Sequence, residues 1–227
     1  MIRVTENFRK IQDLLAKAAL EAERSPDQIR LLAVSKKKPL EAILELARAG
    51  QRDFGENFVQ EGVEKILDSG RKDLIWHFIG HLQSNKTRAV AEHFQWVHTV
   101  DRLKIARRLS AQRPHHAGDL NVCIEVNIDQ EEQKSGVRPD EVEELALALN
   151  QLPRLRLRGL MCLPAIRHDP EAQRVPFAAM RSLFRTLVAQ GIELDTLSMG
   201  MSADYAAAIK EGATIVRVGT AIFGARD

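Results

Sequence analysis

The 227-residue sequence predicts an α/β protein of the (β/α)8 barrel class. Three observations carry that reading. Short apolar runs recur along the chain, and each is followed by a helix or the start of one. Glycine, proline and small polar residues punctuate the joins. Eight such units fit into about 200 residues, the small end of the range for a parallel barrel. A doubly wound open sheet is the alternative arrangement of the same units. No linker, low-complexity tract or composition shift interrupts the chain, so residues 1–227 read as a single domain.

The N-terminal segment carries Phe8, Ile11, Leu15 and Ala18 at spacings of three and four, an amphipathic helix extra to the repeat. It is expected across the barrel floor or side. A turn at Ser25-Pro26-Asp27 leads to the first strand, Leu31 to Val34. The alternation then runs in order. Helix Pro39 to Arg48 stops at Gly50, and strand Asp53 to Gly55 leads to helix Phe58 to Leu67. Strand Leu74 to Ile79 precedes a helix around Lys86 to Glu92. Strand Gln95 to Thr99 precedes helix Leu103 to Gln112, with Asp101 expected as its N-cap. Strand Leu120 to Ile128 is followed by a polar, mobile loop from Asp129 to Arg138 and a helix opened by Pro139. Strand Leu155 to Leu163 precedes a long loop, Pro164 to Pro170, and helix Phe177 to Ala189. Strand Leu194 to Leu197, helix Ala203 to Lys210 and strand Thr214 to Val218 close the set.

Composition narrows the function classes. With 33 Lys and Arg against 31 Asp and Glu, the formal charge is only +2. No bulk electrostatic argument for nucleic acid or a membrane surface follows. No apolar run approaches the roughly 20 residues of a membrane span. Met1-Ile2-Arg3-Val4-Thr5-Glu6 is mixed and charged, with no signal-peptide core behind it, so a cytoplasmic location is expected. Cys123 and Cys162 each lie in an apolar, strand-like run and read as buried thiols rather than a disulfide or a zinc pair.

The stretch Leu31-Leu32-Ala33-Val34-Ser35-Lys36-Lys37-Lys38-Pro39 organises the rest. Alone, its lysines read as a solvated basic turn. In a barrel, however, function gathers at the C-terminal ends of the strands, and Lys36 ends the first strand. Partial desolvation and the neighbouring Lys37 and Lys38 would favour a neutral amine able to attack a carbonyl. At the other end, Val216-Arg217-Val218-Gly219-Thr220-Ala221 is a strand running into a glycine-hydroxyl turn, a candidate anion site. Ser198-Met199-Gly200-Met201-Ser202 is a second small, hydroxyl-bearing loop at a helix start. Either loop alone reads more simply as a structural cap. Together with the lysine they describe a site for a carbonyl compound that carries a phosphate.

Five blocks make the resemblance specific: Ala33-Val34-Ser35-Lys36; Phe54-Gly55-Glu56-Asn57; Trp76-His77-Phe78-Ile79-Gly80-His81-Leu82-Gln83-Ser84-Asn85-Lys86; Leu197-Ser198-Met199-Gly200-Met201-Ser202; and Val216-Arg217-Val218-Gly219-Thr220-Ala221-Ile222-Phe223-Gly224. With these the sequence resembles the pyridoxal phosphate homeostasis protein family, a single-domain relative of the alanine racemase N-terminal barrel. The resemblance runs from Phe8 to Arg226. It implies that Lys36 holds pyridoxal 5′-phosphate (PLP) as a Schiff base. By the same resemblance Ser202, Gly219 and Thr220 hold the phosphate, Arg217 faces the pyridine nitrogen, and Asn57 lies beside the ring. Ser198 and Met199 stand near the other wall. The implied role is PLP binding and vitamin B6 homeostasis without clear catalytic turnover, in a monomer, with PLP-dependent apo-enzymes as candidate partners.

A guanidinium at the ring nitrogen opposes its protonation and weakens the ring as an electron sink. Racemisation by a relative also needs a second base, a tyrosine from a further domain in the full-length racemases. The chain ends at Asp227, and its one tyrosine, Tyr205, lies just inside the helix after Ser202. A PLP-dependent racemase and a cofactor-free Schiff-base aldolase are the competing readings. His77 and His81 are four apart but straddle a strand end and Gly80, so no metal is expected. His81 reads as a loop residue, His115-His116 as a solvated loop, and Arg154, Arg156 and Arg158 as the exposed start of a strand. The role of Lys134 in the loop after the fifth strand is open.

Overall fold

A computed structural model describes residues 4–224 of the chain. The N-terminal reading of Met1 to Arg3 and the far end of the resemblance at Arg226 lie outside the described residues. The strands are β1 (Arg30–Val34), β2 (Asp53–Glu56), β3 (Ile75–Phe78), β4 (Trp96–Val100), β5 (Leu120–Val126), β6 (Leu155–Cys162), β7 (Thr196–Ser198) and β8 (Ile215–Val218). The helices are α1 (Val4–Glu21), α2 (Leu40–Arg48), α3 (Val59–Ser69), α4 (Thr87–His93), α5 (Leu103–Gln112), α6 (Val142–Asn150), α7 (Pro170–Ala189), α8 (Tyr205–Lys210) and α9 (Thr220–Phe223). Among the described residues the strands close into one barrel in sequence order, every pairing parallel. The open-sheet alternative is excluded by the closing pair, in which Arg30, Leu31, Leu32 and Ala33 of β1 register with Ile215, Arg217's two neighbours and Arg217 itself on β8.

Strand alternation sorts the side chains into two layers. Outward residues such as Ala33, Phe54, Trp76, Phe78, Val97 and Val216 pack against the helices in the main core. Inward residues Leu32, Trp96, Cys123, Met161 and Ile215 form a separate core inside the barrel, joined by Ile75 and Ile79. The inside also holds buried polar groups, His77, His98, Ser198 and Arg217. Helix α1 buries Phe8, Ile11, Leu15 and Ala18 as its spacing requires. It packs on the side of the barrel, against α2, α8 and α9.

Two elements differ from their sequence reading. Helix α7 starts at Pro170, seven residues before the expected Phe177. Asp169 caps it by accepting from the Ala172 N–H at 2.7 Å, Pro170 opens it, and Pro176 lies inside it. A proline there gives up one backbone hydrogen bond, and the capped first turn keeps the helix continuous. Asp101 does not cap α5. The N-cap is Arg102, and the Asp101 carboxylate is taken up by Arg102 Nη1 at 2.7 Å. His115 and His116 are exposed, but the loop that carries them is held by Arg113. That buried guanidinium donates to the carbonyls of Ala91, Phe94, Ala117 and Gly118 at 2.7–2.8 Å.

At Gly159 strand β6 lies so close to β7 that a Cβ would be 1.8 Å from the Thr196 carbonyl oxygen. The same residue meets the register shift between β5 and β6. Gly159→Ala is therefore expected to destabilise the fold by about 3 kcal/mol, the upper end of overpacking costs. Urea unfolding followed by circular dichroism checks this, and an unchanged midpoint would contradict the close approach.

Candidate functional site

The first strand carries Arg30, Leu32, Val34 and Lys36 on alternate positions, so the inward phase of β1 ends on Lys36. Strand β2 ends its own inward phase at Asn57, and β8 runs through Ile215 and Arg217 to Gly219. Closure of β8 on β1 brings these ends together at the C-terminal face. There a cavity of about 220 Å³ is lined by Lys36, Asn57, Ser202, Arg217, Gly219 and Thr220, with apolar walls from Val34, Ile79, Met161, Leu163 and Met201. Six of the eight sequence-predicted residues thus meet around one space.

Ser198 and Met199 do not line it. Both are fully buried. The Met199 side chain belongs to the outer core. Ser198 stands behind Arg217, whose Nη1 donates to the Ser198 carbonyl at 2.6 Å and to its Oγ at 2.8 Å. Arg217 Nη2 donates to the Cys162 carbonyl at 2.8 Å. Burial lowers the Arg217 pKa from its ordinary value, yet these three bonds leave another edge of the guanidinium for the cavity.

The backbone on both sides of Lys36 is clamped to α3. Lys65 Nζ, buried, donates to the Ser35 carbonyl at 2.8 Å, Glu56 Oε1 at 2.8 Å and Glu61 Oε1 at 2.6 Å. Ser35 Oγ donates to Glu56 Oε1 at 2.6 Å, and the Lys37 N–H donates to Glu61. Burial raises the Glu56 pKa, with Lys65 opposing. The flanking lysines are drawn away from the cavity: Lys37 lies over the Phe58 ring and Lys38 reaches the carbonyls of Phe223 and Gly224. Their use as crowding cations, expected from sequence, is replaced by this clamp.

Two features leave the cavity open to a polar ligand. Asn57 Oδ1 is buried and has no hydrogen-bond partner among the described residues. A Cβ at Gly219 would sit 3.2 Å from the Val34 carbonyl oxygen, so the bare backbone leaves room at the rim beside the Thr220 hydroxyl. The loop after β5 arches nearby. Asn127 fastens it through Glu131, Lys134 pairs with Glu131 and donates to the Leu163 carbonyl, and Ser135 meets His81.

A larger cavity, about 500 Å³, opens at the opposite end of the barrel. Arg30 and Arg158 lie over Trp96 there, neutralised by Asp53 and Asp195. It lacks a strand-end amine, and the N-terminal face of a barrel is its stability face. Sequence reading missed His98, Glu125 and Lys65. His98 follows the inward Trp96 by two and Glu125 follows Cys123 by two, so strand phase was the available signal. Lys65 had none, since a single lysine on an amphipathic helix reads as exposed.

A parallel barrel with a lysine in the turn after its first strand and an arginine and glycine-threonine turn at the end of its last is of the alanine racemase N-terminal class. The family model for the alanine racemase N-terminal domain matches residues 4–227. The pyridoxal phosphate homeostasis protein of Pseudomonas aeruginosa is 54% identical over 227 residues, covering 100% of this chain and 97% of that one. PipY of Synechococcus elongatus PCC7942 without PLP superposes with a TM-score of 0.87 at 36% identity, covering 98% of this chain and 100% of PipY. PipY with PLP bound gives a TM-score of 0.83 at 35% identity, with the same coverage. The chain belongs to the alanine racemase N-terminal domain family and, within it, to the pyridoxal phosphate homeostasis proteins.

Two measurements test this geometry. Lys65→Met leaves two carboxylates facing the Lys36 turn without their cation and is expected to cost about 3 kcal/mol in urea unfolding. An equal midpoint would mean the clamp is not needed. Glu125, buried and with Oε2 unpartnered among the described residues, has its pKa raised to about 7 by burial and by Asp101. Its folded pKa exceeds its unfolded value, so the stability linked to its neutral form is complete below the ordinary carboxylate range. It is lost as pH rises through about 7. Glu125→Gln should therefore match the wild type in the acid range and exceed it by about 3 kcal/mol at about pH 8.5. Parallel stability curves would exclude that shift.

Proposed function

We propose that the chain binds PLP in the Lys36 cavity and serves vitamin B6 homeostasis by holding the cofactor. The observation that carries this is the convergence of the Lys36 amine with Arg217 and the Gly219-Thr220 turn on one small cavity. PLP supplies an aldehyde for an amine, a phosphate for hydrogen-bond donors, and a ring nitrogen that tunes its electronics. Lys36 stands as the covalent anchor. Ser202, Gly219 and Thr220 hold the phosphate at the open rim, Asn57 uses its unpartnered Oδ1 beside the ring, and Arg217 faces the ring nitrogen. Ser198 acts through Arg217, and Met199 backs the wall from the core.

The residues favour holding over turnover. Arg217 is a donor held by three bonds, so it opposes a proton on the ring nitrogen and limits carbanion chemistry. Tyr205 opens α8 outside the cavity lining. We read the protein as one domain over residues 1–227, cytoplasmic and monomeric, giving PLP to or taking it from PLP-dependent apo-enzymes. Among the described residues no helix is long and apolar enough to cross a membrane. The named homeostasis relatives and the PLP-bound PipY support the ligand and the role.

The test is an absorbance spectrum after incubation with PLP, beside Lys36→Ala. The wild type is expected to show the visible band near roughly 420 nm and the variant to lose it. No band in either protein would sink the PLP reading and favour the cofactor-free aldolase. Rapid α-proton exchange on amino acids by the loaded protein would instead favour a racemase.

A further inference from the structure

The barrel interior holds a continuous polar line that the cavity does not account for. Asp53 Oδ1 lies 2.9 Å from His77 Nε2, His77 Nδ1 lies 2.9 Å from His98 Nε2, and His98 Nδ1 lies 2.8 Å from Ser198 Oγ. Ser198 Oγ lies 2.8 Å from Arg217 Nη1. His77, His98 and Ser198 have no exposed surface, and Trp96 stacks on His77. The line starts at the barrel floor, where Arg30 approaches Asp53 at 3.5 Å, and ends at the Lys36 cavity.

The Asp53 end dictates where its protons lie. The Asp53 carboxylate is an acceptor, so His77 carries its proton on Nε2 and accepts at Nδ1. His98 then carries its proton on Nε2, donates to His77 Nδ1 and accepts at its own Nδ1 from the Ser198 hydroxyl. Ser198 Oγ in turn accepts from Arg217, which only donates. The reverse direction would set His77 Nε2, an acceptor, against a carboxylate. Burial lowers the pKa of both histidines, His98 the more, consistent with two neutral rings. The charged groups that bear on the line are Arg30 below and Arg217 above, with Glu125 and Asp204 acting on Arg217.

We propose that Asp53, His77, His98 and Ser198 form a one-way hydrogen-bond wire that positions Arg217 and holds it as a donor toward the ring nitrogen. They are positioning residues, since none of Asp53, His77, His98 or Ser198 lines the cavity. The effect on the ligand rests on the PLP reading above, whereas the wire itself does not. The inward phase of β2, β3, β4, β7 and β8 supplies one member each, so the wire crosses the barrel without bending a strand.

The test has two arms. In the cofactor-free protein, nitrogen-15 NMR of the imidazoles is expected to show His77 and His98 neutral and protonated on Nε2 at neutral pH. Asp53→Ala should scramble the tautomers of both rings, while Ser198→Ala, which leaves the Asp53 end in place, should keep both protonated on Nε2. An imidazolium or an Nδ1–H ring in the wild type overturns the wire. In the PLP-loaded protein, Asp53→Ala and Ser198→Ala should each shift the visible band or its pH midpoint and weaken PLP binding at least about threefold. An unshifted band and unchanged affinity in both folded variants overturn the positioning role. If the wild type binds no PLP, the cofactor reading fails, and the NMR arm alone still decides the wire.

Discussion

Closure of the first strand on the last is the constraint from which the site follows. Arg30 to Ala33 pair with Ile215 to Val218, and the Arg30 N–H donates to the Thr214 carbonyl at 2.8 Å. This join places the Lys36 turn beside Arg217, Gly219 and Thr220, nearly the whole chain away in sequence. Lys38 extends the join past the strands to the carbonyls of Phe223 and Gly224. A barrel removes the sheet edges, and here it also turns the two ends of the sheet into one cavity.

The surrounding electrostatics serve to fix donors rather than to gather charge. Lys65 is spent on Ser35, Glu56 and Glu61, so its cation holds the backbone that carries Lys36. Arg113 ties loops through four carbonyls, and Arg217 is held by Ser198 and Cys162. Buried cations of this kind add little net stability relative to an apolar core, but leaving their partners unpaired is costly. Their use is geometric: Lys65 and Arg217 each keep one group at the cavity in one orientation, and Arg113 fixes the loop ahead of β5. Cys123 and Cys162, with pKa values pushed up to about 12 by burial, remain inert packing groups beside them.

Much of this was legible from local signals. The apolar runs gave all eight strands to within a few residues, because a parallel barrel strand is buried on both faces and bounded by glycine or helix caps. Lys36, Arg217 and the Gly219-Thr220 turn were readable because strand ends of a barrel are where chemistry gathers. Helix α7 was read short, from Phe177, and only the Asp169 cap and the packing of Phe177 and Met180 show the helix running through Pro176. Asp101 looked like a cap until its neighbour Arg102 claimed the carboxylate.

The sequence by itself determined the repeat, the class of barrel and which residues stand at the strand ends, since periodicity and chain punctuation are local properties. Only the tertiary structure decided what stands behind those residues. Strand phase and closure turn Ser198 and Met199 away from the cavity, draw Lys65 under the Lys36 turn, and align Asp53, His77, His98 and Ser198 beneath Arg217. Those relations depend on which side chains from different strands share one level of the barrel, and that is set by register across the sheet rather than by spacing along the chain.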